Sequence, residues 1–241
     1  MKWIVAGASH GVPEKHRFCT SIFLQVENNT YIFDAGAPVS GLLCYYDIPH
    51  ESVKAVVISH AHSDHLNGLV GFYTELLWWG GYQSCDPVFL YPEQKCIDGI
   101  RHWSETFECT IRRKSLMDRI YDAGVIYDDG VIRVTARQNK HTSRSFSFVV
   151  EAEGKKILLT GDLGYGFGDY MEVLGDDQYD LVFCEGAHHT PGSVNELLGL
   201  TPTKQMVIHH LNLEREPHLT KFAKEAPFPC QIAEDGLTIE L

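Results

Sequence analysis

With 241 residues and 44% hydrophobic side chains, the chain can bury one large α/β core and is too apolar to remain disordered. Its 32 acidic against 20 basic side chains give a formal charge of −12, which excludes a broad basic face for extended nucleic acid or an anionic membrane but leaves room for a local basic pocket. Seven cysteines, at 19, 44, 85, 96, 109, 184 and 230, form no Cys-x-x-Cys pair, so reduced thiols in a cytoplasm are expected rather than a disulfide framework or a thiolate zinc site.

The opening reads as β-rich. The run Trp3-Ile4-Val5-Ala6 is too short for a signal-peptide core and predicts a strand over Lys2–Ala6. Ser21–Val26 and Thr30–Phe33 flank the turn Glu27-Asn28-Asn29, as in a hairpin, and Asp34-Ala35-Gly36 closes the second strand. Ala55–Ser59 predicts a buried strand and Leu66–Leu77 a helix, followed by a strand at Val88–Tyr91 and a helix over Lys95–Phe107. Arg112–Ala123 fits neither period. Its basic run Arg112-Arg113-Lys114 reads as a solvated helix face. The cluster Trp78-Trp79-Gly80-Gly81-Tyr82 reads as core or dimer packing, with a substrate-side lid as the alternative.

The second half repeats the alternation. Val131–Ala136, Ser145–Glu151, Lys156–Thr160, Tyr179–Cys184 and Gln205–His209 predict strands, with a turn at Ala152-Glu153-Gly154-Lys155 and a short helix over Val194–Leu200. Gln231–Ala233 and Leu237–Leu241 are expected to end the chain as a small hairpin. No apolar run is long enough to span a bilayer. No linker or repeat divides residues 1–241, so one domain is expected: two sheets packed face to face with helices outside.

His60-Ala61-His62-Ser63-Asp64-His65 places three imidazoles and one carboxylate within six residues, directly after an apolar strand. Side chains two apart share a face of a strand, so His60 and His62 point together, while Asp64 and His65 fall in the turn and reach a second point. This spacing suits two adjacent metal ions better than one. Three further positions sit just past apolar strands: His141, Asp162 after Gly161, and the pair His209-His210. With Asp162 bridging, one ion takes His60, His62 and His141. The other takes Asp64, His65 and one of His209 or His210. Each retains an open position for water.

These residues resemble the metallo-β-lactamase superfamily, whose His-x-His-x-Asp-His motif is followed by a His, a Gly-Asp and a final His. The resemblance covers nearly the whole chain and implies an α/β fold, a four-layer αβ/βα sandwich with the site at one edge. It favours His210 as the last ligand, and it matches the family's early Asp-x-Gly to Asp34-Ala35-Gly36, where Asp34 orients the metal loop from behind. Within the superfamily, Gly7-Ala8-Ser9-His10-Gly11-Val12-Pro13, Arg17, Thr20-Ser21, the stretch Ser145–Asp162 and Asp180–Gly186 resemble the ribonuclease Z and cyclic-phosphodiesterase branch. That branch carries a Glu supporting a catalytic His, matched here by Glu185 with His188 and His189 following. Cys184 replaces the branch's His before that Glu, Asn212-Leu213-Glu214 replaces a Ser-Arg-Tyr after the last ligand, and no long basic arm is visible.

The resulting expectation is a hydrolase with two divalent ions, zinc first and manganese or iron as alternatives, acting on a small-molecule or short phosphodiester. Asp64 binds metal and accepts a proton, His189 (or His188) beside Glu185 protonates the leaving group, and Arg144 grips a substrate phosphate. The resemblance makes a homodimer a candidate assembly. Hydrolysis of a thioester, lactone or β-lactam is the alternative chemistry. A di-iron redox protein or metal-containing binding protein fits less well, since no flavin domain fits this length and no ligand is missing.

Overall fold

The computed structural model describes residues 1–78, 86–106 and 116–241. In the first half, β1 (Lys2–Gly7), β2 (Ser21–Val26) and β3 (Asn29–Phe33) lead through α1 (Val39–Tyr45) to β4 (Val53–Val57), α2 (Leu69–Trp78), β5 (Val88–Tyr91), α3 (Gln94–Thr106) and β6 (Met117–Ile120). In the second, β7 (Gly124–Asp128), β8 (Ile132–Gln138), β9 (Phe146–Ala152) and β10 (Lys155–Leu159) precede α4 (Tyr170–Leu174) and β11 (Leu181–Glu185). Then follow α5 (Pro191–Glu196), β12 (Met206–His209), α6 (Glu216–Glu225), β13 (Cys230–Ile232) and β14 (Thr238–Glu240).

The strands form two seven-stranded mixed sheets, ordered β14-β1-β2-β3-β4-β5-β6 and β13-β12-β11-β10-β9-β8-β7. Each begins antiparallel and becomes parallel: the change falls between β3 and β4 in one sheet and between β10 and β11 in the other. Both faces of each sheet are covered, so the strands read as apolar runs rather than strict alternation. Ile22, Leu24, Tyr31, Phe33, Val57, Val134, Phe148, Val150, Ile157 and Phe183 meet between the sheets. Phe23, Ile32, Val56 and Phe89 face α1, α2 and α3 on one outside, while Val149, Leu158, Val182 and Ile208 face α4, α5 and α6 on the other. This is the four-layer αβ/βα sandwich expected from the sequence. Fully buried Trp3 joins the two sheets, its ring 5.9 Å from Phe33 in its own sheet and 5.2 Å from Phe183 in the other.

The expected C-terminal hairpin does not form. β13 runs parallel to β12 in the second sheet, whereas β14 crosses over to pair antiparallel with β1 in the first. The reason is edge satisfaction: each strand covers the open backbone groups of a different sheet, placing Ile232 beside Ile208 and Ile239 beside Trp3. The ambiguous stretch ending at Ala123 contains β6, an edge strand whose alternation is blurred by exposure of Met117 and Ile120. Helices α1, α4 and α6 were not foreseen; the first two span only 7 and 5 residues, too short to show a period. The clusters at 79–82 and 112–114 lie outside the described residues. Among the described residues, no helix is long and apolar enough to cross a membrane.

Truncating Trp3 leaves a void that both sheets line. Trp3→Ala is expected to lower the unfolding free energy by about 3–5 kcal/mol. Tyr45→Ala, at a side chain 78% exposed, is expected to change it by less than about 0.5 kcal/mol. Urea denaturation followed by circular dichroism measures both.

Candidate metal centre

The expected residues meet where β4, β10, β11 and β12 end together, at the edge shared by the two sheets. The loop after β4 carries His60 and His62 and closes in a short 3-10 turn, Ser63–His65. The β8–β9 connection supplies His141, the end of β10 supplies Asp162, and the end of β12 supplies His210. Their ligand atoms fall into two sets, each within 4.8 Å of one another: His60, His62, His141 and Asp162, and Asp64, His65, Asp162 and His210. Asp162 belongs to both. Its Oδ2 lies 3.7 Å from His60 Nε2, 3.5 Å from His141 Nε2 and 3.2 Å from His210 Nε2, and its Oδ1 lies 3.3 Å from His65 Nε2. His62 Nδ1 lies 2.9 Å from His60 Nε2 and 3.1 Å from His141 Nε2.

Hydroxyl proton inventories fix which ring nitrogens face inward as lone pairs. Ser59 Oγ donates its one proton to Asp34 Oδ2 at 2.8 Å, so it accepts from His60 Nδ1 at 3.0 Å. Asp34 also accepts from His65 Nδ1 at 2.8 Å and from the Ser59 amide at 2.7 Å. Thr20 Oγ1 donates to the Ser9 carbonyl at 3.1 Å and accepts from His210 Nδ1 at 2.6 Å. The Nε2 atoms of His60, His65 and His210 are thereby left bare and aimed at Asp162. Buried His65 Nε2 and Asp162 Oδ1 have no hydrogen-bond partner. Lone pairs and carboxylate oxygens crowded into a dry space require a positive charge between them. The donor set therefore fits divalent metal, and oxygen and imidazole donors are the ones such ions take.

The titration behaviour follows the same logic. Burial opposes charging His65, yet Asp162 and Asp34 outweigh it and hold the imidazole well above its ordinary value. Burial likewise works against ionised Asp162, but His210 and His65 hold its carboxyl well below the usual carboxylate range. His60 and His141 are pushed down chiefly by burial, which favours the neutral form that can ligate.

Backbone geometry accounts for the local sequence. Asp34 and His210 adopt positive φ, at 55° and 53°, a region in which Asn, Asp and His are enriched among side-chain-bearing residues. The turn at His210 sends its ring into the site. Strand alternation sends His209 the other way, between the sheets, with its ring 6.2 Å from Phe183. Burial pushes the His209 imidazole down to about 3. At Gly161, φ is +56° and a Cβ would lie 2.7 Å from the Phe146 carbonyl oxygen. At Gly36 a Cβ would lie 1.7 Å from the Asp64 carbonyl oxygen, so only glycine lets the Asp34 loop seat against the histidine loop.

Two expected substrate-side residues sit differently. His189 Nδ1 bonds the Gly186 carbonyl at 2.8 Å and its buried ring lies beside Phe167, turned away from the ligand sets. His188 takes the place expected of it, for a local reason: the Glu185 carboxylate accepts from the His188 amide at 2.9 Å and from its Nδ1 at 3.0 Å, folding that ring over the site. The His188 ring lies 4.6 Å from that of His141 and 5.9 Å from that of His210. Arg144 is not aimed at the site. Its guanidinium donates to the Pro92 carbonyl (2.9 and 2.6 Å), the Tyr121 carbonyl (2.6 Å) and Asp122 (2.6 Å), tying the His141 loop to the first sheet. Thr20 and Ser59 received no role from the sequence, because an orienting hydroxyl carries no motif of its own.

Thr20→Val removes the acceptor that fixes the His210 tautomer and is expected to weaken divalent-metal binding on the order of 10–100-fold in a competition titration. Gly36→Ala is expected to weaken it at least as far, while far-ultraviolet circular dichroism still shows a folded chain. His210→Ala should reduce bound metal more than His209→Ala does.

Known proteins agree with this geometry. The family described as "Anti-Pycsar protein Apyc1" matches residues 1–226. Ribonuclease Z of Anoxybacillus flavithermus is 29% identical over 170 residues, covering 68% of this chain and 52% of that protein. Ribonuclease Z of Geobacillus kaustophilus is 32% identical over 161 residues, covering 64% and 50%. The chain thus spans about half the length of the curated relatives it matches. Among solved structures, the metallo-β-lactamase fold protein YhfI from Bacillus subtilis superposes with a TM-score of 0.78 at 17% identity, covering 100% of this chain and 99% of that one. The short form of human tRNase Z gives 0.76 at 20% identity, with the same two coverages. The chain has the metallo-β-lactamase fold and belongs to the family of anti-Pycsar protein Apyc1.

Proposed function

We propose that the protein is a metal-dependent phosphodiesterase acting on a small or short phosphodiester such as a cyclic nucleotide, with two divalent ions, zinc first, as its cofactor. The observation that carries this reading is the Asp162 carboxylate shared by two sets of histidines, with the tethered imidazole of His188 beside it. His60, His62, His141 and Asp162 would hold one ion, and Asp64, His65, His210 and Asp162 the other. Ions bound there lower the pKa of a ligated water towards about 7 and neutralise charge on phosphoryl oxygens.

The chain's own groups divide the remaining work. Asp64 lies in the set shared with His65 and His210, where its carboxylate can accept the proton of the attacking water or orient it. His188 supplies the acid. Burial opposes its charged form, but the bond to Glu185 raises it overall, so the ring is a ready proton donor to a leaving alkoxide. Glu185, wholly buried, accepts from the amides of Leu163, Ala187 and His188 and from the His188 ring. That saturation fixes its carboxylate and, through it, the ring. His62 is exposed, which leaves the first set open to an incoming substrate. The described cysteines are all free thiols, which supports a reducing, cytoplasmic setting.

The purified protein should hydrolyse bis(p-nitrophenyl) phosphate and a 3′,5′-cyclic nucleotide, lose activity after chelation, and regain it with added zinc, manganese or iron. Turnover confined to lactone or thioester probes would replace the reading. Asp162→Ala should empty both positions in metal analysis; two ions retained per chain would refute the shared ligand. His188→Gln should lower kcat on the cyclic nucleotide by about 10²-fold or more without changing metal content.

A further inference from the structure

Arg215 occupies a place that the ligand sets and the Glu185–His188 pair leave unexplained. It stands just past Asn212-Leu213-Glu214, at the start of α6, five residues after His210. Its side chain does not follow the helix. It reaches back to the loop that carries His188, where Nη1 donates to the Ala187 carbonyl and, at 3.2 Å, to the His189 carbonyl. Those two carbonyls flank His188 on either side. One guanidinium nitrogen therefore clamps the peptide that enters His188 and the peptide that leaves His189, bracketing the turn that carries the His188 side chain.

The clamp is itself held from behind. The Arg215 amide donates to the Asn212 carbonyl at 2.9 Å. The next residue, Glu216, forms a two-pronged pair with Arg17 at 2.7 and 3.2 Å, which fastens the first turn of α6 to the loop before β2. Leu211 donates to the Ala8 carbonyl at 2.7 Å, so the segment between His210 and Arg215 is pinned at both ends. A planar fork with fixed donors suits this task better than an ammonium, since its geometry is pre-organised. Glu185 fixes the His188 ring through Nδ1 and the His188 amide, Gly166 N donates to the His188 carbonyl and His189 Nδ1 bonds the Gly186 carbonyl, while the Ala187 and His189 carbonyls are held by Arg215.

We propose that Arg215 is a positioning residue for leaving-group protonation: by holding the Ala187 and His189 carbonyls it fixes the turn that carries His188, so that the ring stands over the shared carboxylate. This rests on the phosphodiesterase reading above and deepens it, by assigning the second half of the support of the proton donor to a residue outside the ligand sets.

The test compares two diesters of the same shape on the full-length, metal-loaded protein. Bis(p-nitrophenyl) phosphate releases a stable phenolate that needs little protonation. Diphenyl phosphate releases a more basic phenolate that needs it. Arg215→Ala is expected to lower kcat on diphenyl phosphate by about 10–100-fold, the scale that a misplacement of about 1 Å produces, with KM and bound metal unchanged and with bis(p-nitrophenyl) phosphate affected less than about threefold. Arg215→Lys, which keeps a donor of shorter reach, is expected to recover part of the loss. The double variant Arg215→Ala/His188→Gln should be no slower than His188→Gln alone, because both changes act through one group. Equal losses on the two diesters, no loss on either, or additive losses in the double variant would each overturn the proposal while leaving the phosphodiesterase reading intact. A wild-type protein inactive on both diesters would instead remove that reading, and this inference with it.

Discussion

The structure turns on one buried carboxylate. Asp162 is 2% exposed and faces the Nε2 atoms of His60, His65, His141 and His210. An isolated ionised carboxylate in a dry interior costs several kcal/mol even after relaxation. Here the cost is met by arranging every neighbour around a common point where positive charge is required. Protonation of His65 can supply part of that charge in the bare protein, and its raised affinity for a proton shows the demand. A divalent cation answers the same demand more completely, because several lone pairs converge on it at once.

Behind the inward-facing atoms lies a shell that decides which nitrogen faces in. Asp34, Ser59 and Thr20 are not chemically reactive in this setting; each accepts a ring proton on the far side of a histidine. Asp34 does so from a strained backbone at φ 55°, held there by the turn at Gly36. The strain is tolerated because the end of β4, the histidine loop and the β2 entry all bond to this turn: Asp34 N donates to the Val57 carbonyl, Ala35 N to the His65 carbonyl and Gly36 N to the Thr20 carbonyl. A local conformational cost is thereby offset by three segments that over-determine it.

What could be read from the sequence divides along physical lines. The hexapeptide at 60–65 and the positions 141, 162 and 210 were legible, because ligand chemistry restricts residue type and strand ends restrict place. The strands β2 and β5 were legible to the residue, because both faces are buried and their runs are bounded by turns. The choice between His188 and His189 was not. It depends on which ring folds back onto Glu185, a torsional fact that two adjacent identical residues cannot express. Arg144 was misdirected for a related reason: its position in the chain places it near the ligand His141, but carbonyls of Pro92 and Tyr121, remote in sequence, claim its donors. The final strands misled because pairing between sheet edges is non-local, and two short apolar runs separated by a turn look alike whether they meet each other or part.

The division of ligands between the halves has its own consequence. His60, His62, Asp64 and His65 come from the first sheet and its loop, while His141, Asp162 and His210 come from the second. Neither sheet alone can complete either set, since Asp162 stands in both. Away from the site, contacts such as Trp3 against Phe183 are non-directional and tolerate small sliding, with Tyr31 on Asp129 and Arg144 on the Pro92 and Tyr121 carbonyls as separate polar ties. The convergent carboxylate and imidazoles do not tolerate it, because lone-pair directions fix both distance and angle. The apolar interior thus brings the sheets together, and the polar edge sets their register to the accuracy that a shared ligand set demands. Crossover of β14 to the first sheet, with Asp235 bonding the amides of Ala8 and Phe18 on the way, adds a covalent strap at that same edge, close to Thr20 and the ring it orients.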